Sequence, residues 1–164
     1  MPAKRPYPAP AVLLASLLTC SLSAAADTAQ IARGRYLAVI AGCNDCHTAG
    51  YLMAPDSIPE SDWLKGNPLG WSGPWGTTYP SNLRLVLPQL SEGQWLAVAR
   101  SANFRPPMPN QTLRHMTDED LLAIYHLVKY LGPAGEPAPP ALPPGQTPQG
   151  PAVIFPPPAP TSER

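Results

Sequence analysis

Apolar residues recur along this chain with the period of helices, and no segment alternates as a strand does. Gly34, Ala38 and Ala41 fall at i, i+4 and i+7. They form a stripe of small residues on a helix predicted from Asp27 or Thr28 to about Ala41. Such a stripe lets another helix cross at close range. A second helix is predicted from Ser91, which makes a capping box with Gln94 ahead of Trp95, Leu96, Val98 and Ala99. The third is the best marked. Thr117 is its N-cap, and Asp118, Glu119 and Asp120 sit in the positive first turn. Met116 and Leu121 have the spacing of a hydrophobic staple. Leu121, Tyr125 and Val128 make one apolar face, joined by Leu122 and Leu131, and Gly132-Pro133 ends the helix. The pattern predicts an all-α fold.

Between the first two helices lies a stretch from Thr48 to Leu90 without periodicity. It holds Gly50, Gly66, Gly70, Gly73 and Gly76, together with Trp63, Trp71 and Trp75. A structureless segment of that length is unusual in a small domain. Three short helices also enclose too little volume to bury those indoles. The expectation is that a non-protein group fills the centre.

Composition narrows the class. The chain has 164 residues, 11 basic and 11 acidic, so its formal net charge is zero. A nucleic-acid binder normally carries a basic patch, and none is expected here. Only 13% of residues are charged, and 25 are proline, which excludes a coiled coil. Residues 1–26 read as an export signal: Lys4 and Arg5, a short apolar run from Ala11 to Thr19, then Ala24-Ala25-Ala26 as a small-residue cleavage site. The run is well short of the ~20 residues of a membrane span. Cleavage near Ala26 would start the mature chain at Asp27, in the periplasm, and remove Cys20. A membrane tether follows only if Cys20 is lipidated, which Thr19 before it disfavours, or if the signal stays uncleaved. Residues 133–164 are dominated by Pro, Ala and Gly and are expected to be extended. Within them Ala152-Val153-Ile154-Phe155 is apolar enough to dock, although a fully solvated tail is the equal alternative. The globular domain is then residues 27–132.

The chemistry lies in Cys43-Asn44-Asp45-Cys46-His47. This is C-x-x-C-H, the attachment motif of c-type haem. Two thiols three apart reach two vinyl groups on one porphyrin edge, and the next residue places an imidazole under the iron. A thioredoxin-type disulfide would need a βαβ context. Zinc would need two more ligands, and His115 and His126 lack the usual spacing. A structural disulfide remains a rival in an exported protein. With His47 on one haem face, the other axial ligand must come from far along the chain. Met108 lies in Arg105-Pro106-Pro107-Met108-Pro109, where proline stiffens the backbone. Met116 is accounted for by its staple, Met53 lies too near His47, and His115 and His126 read as helix-surface residues. Met108 is therefore the expected second ligand, within the His/Met set.

Taken in order, these residues resemble class I cytochromes c. The resemblance runs through Gly34-Arg-Tyr-Leu, Cys43 to Thr48, Gly73-Pro-Trp-Gly-Thr-Thr-Tyr79, Met108-Pro109 and Thr117-Asp-Glu-Asp120. It is similar to bacterial monohaem domains of the kind found in cytochrome subunits of periplasmic dehydrogenases. The resemblance implies three to five helices around one covalent haem c, with His47 and Met108 on the iron. It implies that Trp75, Tyr79 and Asn82 line the haem edge and propionates. It implies that the first and last helices cross, with Gly34 against Tyr125 or Tyr130. Asn110 departs from the family's aromatic after Met-Pro.

A haem with both axial positions filled leaves no site for a small-molecule substrate. The expected role is single-electron transfer, from a dehydrogenase to another cytochrome or a terminal oxidase, and not catalysis. Without Lys4 and Arg5 the chain carries nine basic and eleven acidic residues, which predicts weak electrostatic steering. The rival is a haem enzyme or gas sensor with a labile sixth ligand, for which Arg105 is the nearby polar group. A tethered subunit of a larger dehydrogenase complex is a third reading.

Overall fold

A computed structural model describes residues 27–156. The expected signal peptide, Cys20 and residues 157–164 lie outside the described residues. Helix α1 occupies 27–40. Helix α2 is Cys43–His47 and α3 is Leu83–Val86. Helix α4 is Glu92–Arg100, α5 is Asn110–His115 and α6 is Asp118–Leu131. Strands β1 (Gly70–Gly73), β2 (Gly76–Thr78) and β3 (Ala152–Ile154) form one sheet in the order β2-β1-β3. No described helix is long and apolar enough to cross a membrane.

The predicted helix signals act as expected. The Ser91 hydroxyl accepts from Gln94 N while the Gln94 side chain accepts from Ser91 N, closing the capping box. Thr117 Oγ1 accepts from Asp120 N at 3.2 Å. Gly132 ends α6 with φ 69°. The main core gathers Ala38, Leu64, Leu87, Trp95, Ala99, Leu121, Tyr125, Leu127 and Val128. Two polar tips in it are satisfied: Trp95 Nε1 donates to Leu121 O and Tyr125 Oη to Leu90 O, each at 2.8 Å.

The small-residue stripe does bring α1 against α6, but on other partners than the resemblance implied. A Cβ on Gly34 would run into the Ala123 carbonyl oxygen and lie 2.8 Å from Leu127 Cβ. Tyr130 instead stacks under the Arg35 guanidinium, 5.1 Å from its ring centroid. The reason is the row geometry of α6: Ala123 and Leu127 stand one turn apart on the face that α1 meets, and only a small side chain permits backbone contact there.

Two expectations are corrected. The fold is mostly helical but carries a small sheet, and six α-helices stand among the described residues, two of them no longer than five residues. The stretch from Thr48 to Leu90 is not structureless: it contains three 3-10 turns, the β1–β2 hairpin and α3. The hairpin pairs Gly73 with Gly76 around Pro74-Trp75. Gly76 is required, since its φ is 94° and a Cβ there would strike the Leu142 carbonyl. The indoles pack on protein. Trp63 meets Tyr51 edge-on at 5.8 Å, and Phe155 sits 6.0 Å from Trp71 and 5.3 Å from Trp75. Phe155 belongs to the C-terminal segment, which therefore docks. Its β3 runs parallel to β1, and Leu142 exchanges both backbone hydrogen bonds with Thr77, at 2.9 and 3.0 Å.

Candidate functional site

Helix α2 is one turn and a fraction long, and its sequence is the C-x-x-C-H motif itself. It starts after Gly42, whose φ of 71° favours glycine. Positions i and i+3 share a helix face, so Cys43 and Cys46 stand side by side. Both are half-buried free thiols. Burial pushes the Cys43 thiol up to about 11, with Asp45 adding to the effect. Burial also raises Cys46, again with Asp45 contributing. Both thiols are protonated at neutral pH and neither is a resting thiolate nucleophile.

His47 ends the helix, 8% exposed, with Nδ1 at 2.7 Å from Ser81 O. A carbonyl only accepts, so Nδ1 carries the proton and Nε2 keeps its lone pair. Burial lowers the pKa of His47, with the Ser81 hydrogen bond pulling the other way. A neutral imidazole with an oriented Nδ1–H and a bare Nε2 is chemically able to ligate a metal.

A clasp holds α2 in place. Thr48 Oγ1 donates to Asn44 Oδ1 and accepts from Leu64 N, both at 2.8 Å. Gly66 N donates to His47 O, also at 2.8 Å. Leu64 is fully buried at φ 60°, the one non-glycine residue with positive φ among those described. Such a conformation survives only where surroundings over-determine it. Here its N–H binds Thr48 and its C=O takes Leu83 N at 3.0 Å, joining α2 to α3.

Met108 sits half-buried between α4 and α5, packed on the same apolar cluster as Cys43. Its loop is pinned from both sides. Thr78 Oγ1 donates to Pro106 O at 2.8 Å. Asn110, the departure from the family pattern, accepts from Phe104 N at 2.7 Å and donates to Phe104 O at 2.8 Å. The amide thus closes the loop that an aromatic would have packed. Of the competing groups, Met116 packs on the same cluster, and the other three are placed elsewhere. Met53 is 87% exposed. His115 Nδ1 lies 2.8 Å from Gln111 O, and His126 Nε2 lies 3.3 Å from Glu92.

The residues that the resemblance set at a haem edge divide. Trp75 and Tyr79 are half-buried on and beside the hairpin. Trp75 Nε1 donates to Trp71 O at 3.3 Å, and its ring covers Gly73 and meets Phe155. Asn82 is buried, and its amide is fully committed to the chain. Oδ1 accepts from Arg84 N at 3.0 Å, and Nδ2 donates to Ala134 O at 2.8 Å and Glu136 O at 3.1 Å. It caps α3 and ties down the C-terminal segment.

Three residues that the sequence did not single out matter here. Ser81 acts through its backbone carbonyl, which any residue type supplies. Arg84 is a buried cation whose guanidinium donates to Ser61 O at 2.7 Å, Gly132 O at 2.5 Å and Leu131 O. It neutralises the carbonyl end of α6 and its dipole. Trp71 Nε1 is buried without an acceptor, as is Asn44 Nδ2. Orphaned buried donors are rare and mark a missing partner. Two free thiols, an imidazole with Nε2 bare and an unpaired indole N–H fit a covalently held haem.

The likeness found among known proteins is to a cytochrome subunit. Over 127 residues, 71% of this chain, the identity is 29% to the fructose dehydrogenase cytochrome subunit of Gluconobacter japonicus. That alignment covers 24% of the relative, so this chain spans about a quarter of its length. No family model matches the chain, and no solved structure matches it.

Proposed function

We propose that this protein is an exported electron carrier with one haem c, attached through Cys43 and Cys46 and ligated by His47 and Met108. The observation that carries the reading is the 2.7 Å contact of His47 Nδ1 with Ser81 O inside a C-x-x-C-H helix. It leaves Nε2 on a ring of fixed orientation, from which it would hold the iron of a bound haem. When bound, the haem supplies a one-electron Fe(III)/Fe(II) couple. The chain does the rest. The clasp through Thr48 and Leu64 holds both thiols and the imidazole on one short helix. The pinned loop at 104–110 presents a thioether, a soft donor that favours Fe(II) and raises the potential. The buried Trp71 N–H, which has no acceptor, would be available as a donor to a bound group. The likeness to a dehydrogenase's cytochrome subunit supports redox proteins as the partners: a dehydrogenase as donor, another cytochrome or an oxidase as acceptor. The cytochrome domain takes residues 27–132, with the C-terminal segment docked on it through β3, the signal removed near Ala26 and the protein in the periplasm.

An absorption spectrum of protein purified from the periplasm, oxidised and reduced, with a pyridine haemochrome, tests this. The expected result is covalent haem c and a Met–Fe(III) charge-transfer band that Met108→Ala removes. Cys43→Ala and Cys46→Ala should each abolish stable attachment. Covalent haem that lacks the band and binds CO readily would replace electron transfer with the enzyme or sensor reading. Absence of covalent haem would sink both.

A further inference from the structure

The peptide unit between Ser81 and Asn82 joins two things that are far apart in sequence. Its carbonyl accepts from His47 Nδ1 at 2.7 Å. Its other end is Asn82, whose side chain holds the carbonyls of Ala134 and Glu136 at 2.8 and 3.1 Å. A peptide unit is planar, so its carbonyl cannot turn without its N–H end turning too. Asn82 leaves that end little freedom. Its Oδ1 is fixed by Arg84 N, and Gly66 lies against its backbone. A Cβ on Gly66 would lie 2.9 Å from Asn82 N and 3.0 Å from Pro80 O. On the far side a Cβ on Gly135 would lie 3.2 Å from Asn82 Nδ2. Both glycines have positive φ, 82° and 75°, so each backbone comes as close as it does because no side chain intervenes.

We propose that Asn82 is a positioning residue for His47, and that through it the C-terminal segment sets the strength of the hydrogen bond on Nδ1. This rests on the haem reading above and deepens it. An imidazole that donates strongly from Nδ1 gains anionic character, binds Fe(III) better and lowers the potential. Freed from Ala134 and Glu136, Asn82 lets the Ser81 carbonyl swing, the Nδ1–H bond weakens, and the reduced form gains. Residues 133–136 thereby belong to the surroundings of the iron even though they lie in the proline-rich tail. A partner that grips the tail would read or alter the potential of the carrier.

Two variants of the full chain test this. Asn82→Ser keeps an acceptor for Arg84 N and loses both donors to the tail. Gly135→Ala leaves residue 82 untouched but strains the tail backbone at φ 75° and crowds the Asn82 amide at 3.2 Å, loosening the tail's hold on it, and it decides the matter if the first variant folds poorly. The readouts are the haem content, the midpoint potential, and the solvent exchange of the His47 Nδ1 proton by NMR. The expected result is wild-type haem content, a reduction equilibrium moved about tenfold toward Fe(II), equal to about 59 mV for one electron, and faster Nδ1 proton exchange. Loaded variants with wild-type potential and exchange overturn the coupling and leave the haem reading standing. Wild-type protein without covalent haem overturns both.

Discussion

The helical half of the molecule and its glycine-proline half keep their structure by different means. In α1, α4 and α6 the buried side chains are apolar: Leu37, Ala38, Trp95, Ala99, Leu121, Ala123, Leu127 and Val128 among them. The buried polar residues of the described chain all fall between 44 and 84: Asn44, His47, Thr48, Thr77, Asn82 and Arg84. Apolar burial is strong but non-directional. Hydrogen bonds are individually modest, yet they set angles and are costly to leave unmade. The helical half therefore supplies cohesion, and the other half supplies the orientation of one imidazole and one loop. Each half should break under a different kind of substitution.

The largest effect is expected in the polar half. Arg84→Met keeps a long apolar stem and removes the donors to Ser61 O, Leu131 O and Gly132 O. Three carbonyls at a buried junction lose a charged partner, which should cost about 3 kcal/mol. Arg84→Lys should recover less than half, because an ammonium cannot fork to three acceptors as a guanidinium does. Chemical denaturation of the purified protein measures both. Equal stability of the lysine variant and wild type would mean that charge alone matters there, and that the directional account of this half is wrong.

Next comes the helix crossing. Gly34→Ala adds one methyl group where the Ala123 carbonyl and Leu127 Cβ leave no room. The helices must part, and overpacking of this kind should cost about 2 kcal/mol. The clash is with a backbone oxygen and with a Cβ that every residue but glycine carries, so shortening Leu127 to Ala in the same chain should win nothing back. The same methyl on Gly93, where a Cβ meets nothing within 4 Å, should be harmless or stabilising in its helix.

Why one half was readable and the other was not follows from the same contrast. Helices α1, α4 and α6 announce themselves through short-range periodicity and caps, and Ser91 and Thr117 do what their positions predict. The C-x-x-C-H helix is equally local. The sheet had no such signal. Gly-Trp-Ser-Gly and Gly-Thr-Thr are too short to alternate, and their partners Leu142 and Ala152 to Ile154 come from the far end of the described chain. Ser81 was unreadable because its contribution is a carbonyl. Arg84 looks like any surface charge until the end of α6 is seen to rest on it. Asn82 was picked out by type, but its amide faces the tail backbone. Side-chain identity reveals chemistry; it does not reveal which backbone atom a chain will fold back to meet.

A smaller test compares caps across the halves. Thr117→Ala removes one acceptor from the first turn of α6 and should cost about 1 kcal/mol. On the haem reading proposed above, the loss should appear as a lower Tm with the haem spectrum unchanged, since the first turn of α6 bonds Arg33 and Arg100 and none of the proposed haem residues. A changed Met–Fe(III) band in this variant would show that the two halves are less separable than their burial suggests.

The least costly change is also the sharpest probe of the boundary between them. Phe155 is half-buried, against Trp71 and Trp75, and its N–H donates to Ser72 O at 2.8 Å. Phe155→Ala removes both ring contacts, each worth about 0.5–1.5 kcal/mol beyond burial when fully formed. At this partly open site the global loss should stay below about 1 kcal/mol, because β3 can detach while the core stays folded. Tryptophan fluorescence should shift to the red as Trp71 and Trp75 meet water. Amide exchange should speed up at residue 155 and at Gly70, whose N–H donates to Pro151 O at 2.9 Å. Exchange at Leu142 and Thr77 should stay slow, because that bridge is made by backbone alone and lies nearer the core. If all of these amides quicken together, the C-terminal segment opens as one unit, and the tail contacts at Ala134 and Glu136 would have to be counted with it.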